Sequence, residues 1–191
     1  RQGEVVTVKT AVSAVSSDGA KLNMQELEGK TFASLKAEGE KLWEGQLSKF
    51  KIEATPEQRE TFYTSVYHAF LHPFIFQDAD GKFRELDKNI GQAEGFTNYT
   101  VFSLWDTYRA LHPLFNLVQR DINADIVNSM LAHYDKSVEH MLPVWSFYGN
   151  ETWCMIGYHG ASVIADAYVK GIPMDEKLAL EAVVSTSTVP Y

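Results

Sequence analysis

One cysteine, Cys154, stands in 191 residues, so the chain can form no internal disulfide and no cysteine-built metal site. Set in an apolar stretch, it reads as a small buried hydrophobe and carries no information about compartment. Positive charge is also scarce: 17 Lys and Arg stand against 25 Asp and Glu, a net charge of −8. With no basic cluster, a nucleic-acid partner is excluded. No apolar run approaches the roughly 18 residues a membrane span requires. Arg1-Gln-Gly-Glu4 lacks the apolar core of a signal peptide, so a secreted protein would have lost its signal or carry it outside this chain. No repeat recurs at the level of single helices. What remains is an ordinary globular balance of 45% hydrophobic and 22% charged residues, long enough for one domain with a sizeable core. The 13% aromatic content is somewhat rich, as a large core or a carbohydrate site would make it.

Read along its length, the chain is mainly helical after one strand. Glu4 to Val15 is rich in β-branched residues and partly alternating, which predicts a strand, closed by the turn chemistry of Ser17-Asp-Gly19. Leu22 to Phe50 reads as helix, weakened by Gly29, Gly39 and Gly45. Thr55-Pro-Glu-Gln58 predicts a helix start, with Thr at N-cap, Pro at N1 and Gln at N3. Phe74 to Thr97 predicts a long irregular connection. Its acidic residues Asp78, Asp80 and Asp87 lack the EF-hand spacing and its terminal Glu, so polar turns are the simpler reading. Tyr99 to Leu111 reads as helix, ended or kinked at His112-Pro113. Asp121 reads as the cap of the next helix, Asn150 or Thr152 as that of a helix running to Lys170 and stopped by Gly171. Asp175 starts a last amphipathic helix through Ala182.

Two stretches carry the chemistry: Tyr99 to Pro113 and Gly149 to His159. Each sets a carboxylate, an aromatic and a second polar group in a segment otherwise written for burial. On a helix, Trp105, Asp106 and Arg109 share one region of surface. An indole face can stack on a pyranose while charged groups bond its hydroxyls. The same spacing also suits a buried intrahelical ion pair under an indole, and spacing alone does not separate the two. Glu151 and His159, eight residues apart, would lie on similar faces of one helix, although a lone His there also suits a satisfied core position. Asp166 reads as structural. Asn98-Tyr-Thr100 and Asn150-Glu-Thr152 fit the glycosylation sequon and read as chance matches.

Together with Val163 to Gly171, these stretches resemble the central part of the calcium-dependent, exo-acting alpha-mannosidases of glycoside hydrolase family 92. The likeness is strongest between Phe62 and Gly171 and keeps the family's motif order and separations. It implies part of an (α/α) helical toroid, with residues 1–20 as the final strand and linker of an N-terminal β-sandwich, 21–54 as a linker helix and 55–191 as the N-terminal part of the toroid. It implies that Asp106 binds mannose hydroxyls, with Trp105 and Arg109 beside it and Asn150 and Glu151 in a motif that also faces the cleft; His159, on the helical face of Glu151, is counted with them as a further substrate contact. It also implies a calcium cofactor whose ligands fall on no residue that can be named here, a mannose-containing glycan as partner, and a periplasmic or extracellular location.

Inverting glycoside hydrolysis needs two carboxyl groups about 6.5–9.5 Å apart. The candidate pair within the chain is Asp106 and Glu151, but in the resembled family the acid and base lie in motifs beyond its last residue. The expectation is therefore a central segment that supplies substrate-binding residues and no catalytic pair, partnered by the remaining segments of the same enzyme and inactive alone. Apolar flanks carrying Phe62, Phe70 and Val163 would then lack part of their packing. Two readings stand beside it: a non-catalytic helical module that binds sugar or packs against partners, and part of another helical-toroid glycosidase acting on glucosides.

Overall fold

A computed structural model describes residues 3–189; residues 1, 2, 190 and 191, at the outer margins of the expected 1–20 and 55–191 regions, lie outside the described residues. The order is α1 (Ser17–Met24), a 3-10 turn (Gln25–Leu27), α2 (Phe32–Leu47), α3 (Pro56–Ala69), β1 (Phe74–Ile75), β2 (Lys82–Arg84), β3 (Ile90–Gln92), β4 (Tyr99–Thr100), α4 (Leu104–Thr107), α5 (Leu111–Val118), α6 (Arg120–Lys136), α7 (His159–Val169) and α8 (Glu176–Thr188).

The core lies among α5 to α8. From α6 come Ile126, Val127, Met130 and Leu131, spaced so that they share one helical face; Val163, Ile164 and Ala167 of α7 and Ala179 and Ala182 of α8 pack against them. Phe102, Leu104 and Leu142 extend this core beneath the two motif-bearing loops. Val163 is fully buried, and Phe62 and Phe70 sit in ring contacts with Phe50 and Phe115, so these three do not form the bare flank that was expected.

Capping chemistry was legible. Thr55 accepts from the Gln58 N–H at 3.3 Å while the Gln58 side chain accepts from the Thr55 N–H at 3.0 Å. Asp175 accepts from Leu178 N–H at 3.0 Å, and α8 continues past Ala182 to Thr188. Gly171, at φ +69°, ends α7 in a Schellman motif: Ile172 N–H donates to Ala167 O and Gly171 N–H to Tyr168 O.

Other expectations change. Residues 4–13 belong to no β-ladder among the described residues; Val5 is 91% exposed, and side chains rather than a ladder tie the segment down, through Asn23 to Val12 O and Lys9 to Leu27 O. The helix expected over 22–50 splits at Gly29 (φ +69°), where Thr31 begins a new capping box with Ser34. Within 74–97, β2 and β3 pair antiparallel with Phe83 opposite Gly91, and β1 pairs with β4.

The helix expected over Tyr99–Leu111 is also divided. Ladder bonding takes Tyr99 and Thr100 into β4, Val101 turns at φ +69°, and only then does α4 begin. His112-Pro113 opens α5 rather than ending a helix. Proline is tolerated there because first-turn N–H groups lack intrahelical acceptors anyway. Asp121 lies in the first turn of α6, while Gln119 takes the N-cap position.

Candidate functional site

Two loops meet over the core. Phe102 N–H donates to Ser146 O at 3.2 Å, and Tyr148 N–H donates to Thr100 Oγ1 at 3.1 Å. Together they wall a cleft of about 540 Å³ bordered by Asp106, Thr107, His68, His72, Trp145 and Phe147, with His112 at its back. Asp106 enters from α4, whose first turn is closed by Ser103: the Ser103 O–H donates to Asp106 Oδ2 at 2.6 Å. That single bond orients the carboxylate and leaves its remaining lone pairs facing outward.

Arg109 does not pair with Asp106, so the intrahelical ion pair is not what this motif builds. Its guanidinium lies 4.9 Å over the Trp105 ring and 5.1 Å over the Tyr108 ring, and donates to Trp105 O. Tyr108 in turn stacks on His159 with centroids 4.2 Å apart and planes 10° apart. Trp105, Arg109, Tyr108 and His159 thus form one stack beside Asp106, with the guanidinium between two aromatic rings and the imidazole on the far face of Tyr108. Trp105 stays 38% exposed. The stack does not line the cleft.

Glu151 occupies a different environment. The helix expected from Asn150 to Lys170 begins only at His159, because Glu151 claims the backbone for a loop. Its Oε2 accepts from Val144 N–H at 2.9 Å; its Oε1 accepts from Trp145 N–H at 2.9 Å and Trp153 N–H at 3.0 Å. Its side chain is 9% exposed, and it stands behind the cleft wall rather than in it. Glu151 and Asp106 therefore do not face one another across the cleft as an acid–base pair. Gly149, at φ +68°, brings the same loop so close to β2 that a Cβ would meet Arg84 O at 2.8 Å. Asn150 is exposed and accepts from Lys88 Nζ, away from the cleft.

Residues that sequence reasoning missed are His68, His72, Thr107, His112, Trp145 and Phe147. A signal existed for some of them: His68 and His72 sit four apart where α3 gives out, and Trp145 and Phe147 flank buried Ser146 at strand spacing. Cys154 is exposed in the loop, not buried. Asn98 is buried and donates to Phe76 O at 2.9 Å, so its sequon offers no free amide.

No group of three His, Cys, Asp or Glu is placed to hold a metal among the described residues. The acidic residues of the 74–97 connection have other partners: Asp78 takes Ser13 and Asn23, Asp80 takes Lys82, and Asp87 takes Asn89. These side chains do not fit a calcium site.

Two buried histidines set an acid limit on the fold. Burial pushes His112 down to about 4, partly offset by Asn123, and pushes His133 down to about 3. At 3.5 Å from Glu151, His133 is therefore a neutral neighbour rather than an ion-pair partner. Both residues protonate near 6.5 once unfolded. The unfolded chain then binds more protons, so stability falls with pH from 6.5 until each folded value is passed. At about 1.4 kcal/mol per pH unit, roughly 2 kcal/mol per histidine is lost by about pH 5. Urea midpoints measured from about pH 7.5 to pH 5 should show this slope, and His133→Gln should halve it; a flat profile would refute it.

Residues 19–191 match the family model described as the glycosyl hydrolase family 92 catalytic domain. The chain is similar to a family GH92 alpha-mannosidase from Bacteroides thetaiotaomicron, with TM-score 0.92 and 68% identity over 93% of this chain and 24% of that one. The structure of that alpha-mannosidase in complex with mannoimidazole gives TM-score 0.91 and 68% identity over 93% of this chain and 23% of that one. A family GH92 inverting mannosidase from B. thetaiotaomicron VPI-5482 gives 0.81 and 28% over 90% of this chain and 24% of that one. Nothing matches among curated proteins. The chain spans about a quarter of the length of these solved relatives. Its helical architecture is theirs, and the chain belongs to glycosyl hydrolase family 92.

Proposed function

We propose that this chain is the central segment of an exo-acting alpha-mannosidase that hydrolyses terminal alpha-mannosides with inversion, and that it supplies sugar contacts rather than the acid–base pair. The observation that carries this reading is the cleft around Asp106. A carboxylate held by one serine faces a space walled by Trp145 and Phe147, the mix of apolar faces and hydroxyl acceptors that a pyranose needs. Among the described residues Asp106 is the one carboxylate bordering that cleft, whereas inversion needs two. In this reading the acid and base come from elsewhere in the full-length enzyme.

Trp105 and Arg109, exposed next to Asp106, form the rim that a glycan meets, with His159 stacked behind them. Glu151 serves the sugar indirectly by fixing Trp145, and Asn150 steadies the loop through Lys88. Family membership and a relative solved with mannoimidazole favour a mannose-containing glycan over a glucoside. The family also favours a secreted, periplasmic or extracellular enzyme; no helix among the described residues is long and apolar enough to cross a membrane. Calcium, as the family's cofactor, would take its ligands from residues other than these.

The test is tryptophan fluorescence of the purified protein during titration with methyl alpha-mannoside and, separately, methyl alpha-glucoside. Saturable quenching by the mannoside alone is expected. Response to the glucoside alone would favour a glucosidase, equal response to both would refute selectivity for mannose, and response to neither would leave a packing module.

A further inference from the structure

Behind the cleft, four polar residues from three helices stand in line. Asp166 of α7 accepts from Asn116 Nδ2 at 2.7 Å, and Asn116 Oδ1 of α5 accepts from Asn123 Nδ2 of α6 at 2.6 Å. Asn123 lies within side-chain reach of His112 of α5, one turn before Asn116. Asn116, Asn123 and His112 are each no more than 1% exposed. Among the described residues, the buried side-chain nitrogen and oxygen atoms without a hydrogen-bond partner are His112 Nδ1 and Asn123 Oδ1. The two orphans belong to neighbouring groups.

The line has a direction. A carboxylate accepts and cannot donate, so Asp166, itself paired to Lys170 at 2.7 Å, demands the amide N–H₂ of Asn116. Asn116 must then offer its oxygen to Asn123, which must turn its N–H₂ toward Asn116 and its oxygen toward His112. A proton on Nδ1 satisfies both orphans at once. One proton on the ring is all that a neutral imidazole holds, so Nε2 is left bare.

We infer that Asp166 fixes the tautomer of His112 through two buried asparagines, and that His112 thereby presents a bare Nε2 to the cleft, where it accepts a hydroxyl proton of the bound sugar. His112 borders the same cleft as Asp106, and its Nδ1 edge is sealed inside. His112 is then a contact residue, and Asn123, Asn116 and Asp166 are positioning residues. Burial, which keeps this imidazole neutral well below neutral pH, agrees with that role. The sugar contact rests on the function proposed above; the tautomer does not.

The experiment is nitrogen NMR of the full chain labelled at histidine and tryptophan, with and without methyl alpha-mannoside. Free protein should show His112 with a pyrrole-type Nδ1 and a pyridine-type Nε2. In Asp166→Ala, which removes the acceptor altogether from a partly exposed site, Asn116 can turn either way, the bias is lost and both tautomers appear. A protonated Nε2 in the native chain, or an unchanged tautomer in Asp166→Ala, overturns the relay. Mannoside should move the His112 Nε2 resonance, and His112→Phe should weaken mannoside binding about tenfold, the loss of one hydrogen bond. If mannoside moves the Trp105 indole but not His112 Nε2, the contact is refuted and the proposed function stands. If it moves neither, both sugar assignments fail, while the tautomer still decides the relay.

Discussion

Glu151→Gln destabilises the fold by about 3 kcal/mol, although glutamine matches glutamate in shape. The native carboxylate accepts from three backbone N–H groups with both of its oxygens. An amide has one oxygen, so its N–H₂ must face either Val144 N–H or the pair from Trp145 and Trp153. Donor then meets donor in a site that is 9% exposed, and one N–H is left without an acceptor. The bonds that survive lose the charge that strengthened them. Glu151→Ala removes the shared acceptor altogether, leaving the part-buried Val144 and Trp145 N–H groups without their carboxylate, and should cost about 5 kcal/mol. Urea unfolding measures both, and an unchanged midpoint for Glu151→Gln would sink this account of the loop. Trp145 also borders the cleft, so mannoside-dependent fluorescence should weaken along with stability.

Asp106→Ala has the opposite signature. Its carboxylate holds one hydrogen bond, to the exposed Ser103 hydroxyl, so the unfolding midpoint should move by less than about 1 kcal/mol. Mannoside affinity should fall on the order of 100-fold, because charged acceptors to sugar hydroxyls contribute roughly 1.5–3 kcal/mol each. Asp106→Asn, which keeps one acceptor oxygen, should fall between wild type and Asp106→Ala. Affinity unchanged in Asp106→Ala would remove the residue from the site. Two acids in two similar motifs thus separate cleanly, one by binding and the other by stability.

Nothing local distinguishes those acids. Both sit beside a tryptophan in aromatic-rich segments, and helical spacing made Glu151 and His159 look like partners. The structure separates them because backbone N–H groups of Val144, Trp145 and Trp153 converge on Glu151, and such convergence depends on a loop that closes over the core. The same competition divides Tyr99–Leu111. Side-chain spacing there suits a helix, but pairing of Phe74 with Thr100 takes the first residues into a ladder. His68, His72 and Trp145 stayed hidden for a related reason: the end of α3 and the loop carrying Trp145 lie more than 70 residues apart and share a cleft only after folding.

What the sequence determined by itself was local. The Thr55 capping box, the Asp175 cap, the Gly171 stop and the apolar faces of α6 to α8 depend on residues within one or two turns, where backbone and side-chain bonding compete directly. Motif order likewise carried the family, because it is a property of the chain rather than of its folding. Tertiary structure decided which polar groups point at the ligand and which hold the backbone, and how far a carboxylate's preference is passed on. Asp166, read from its spacing as a structural residue, acquires a second consequence only because α5, α6 and α7 bring two asparagines between it and His112.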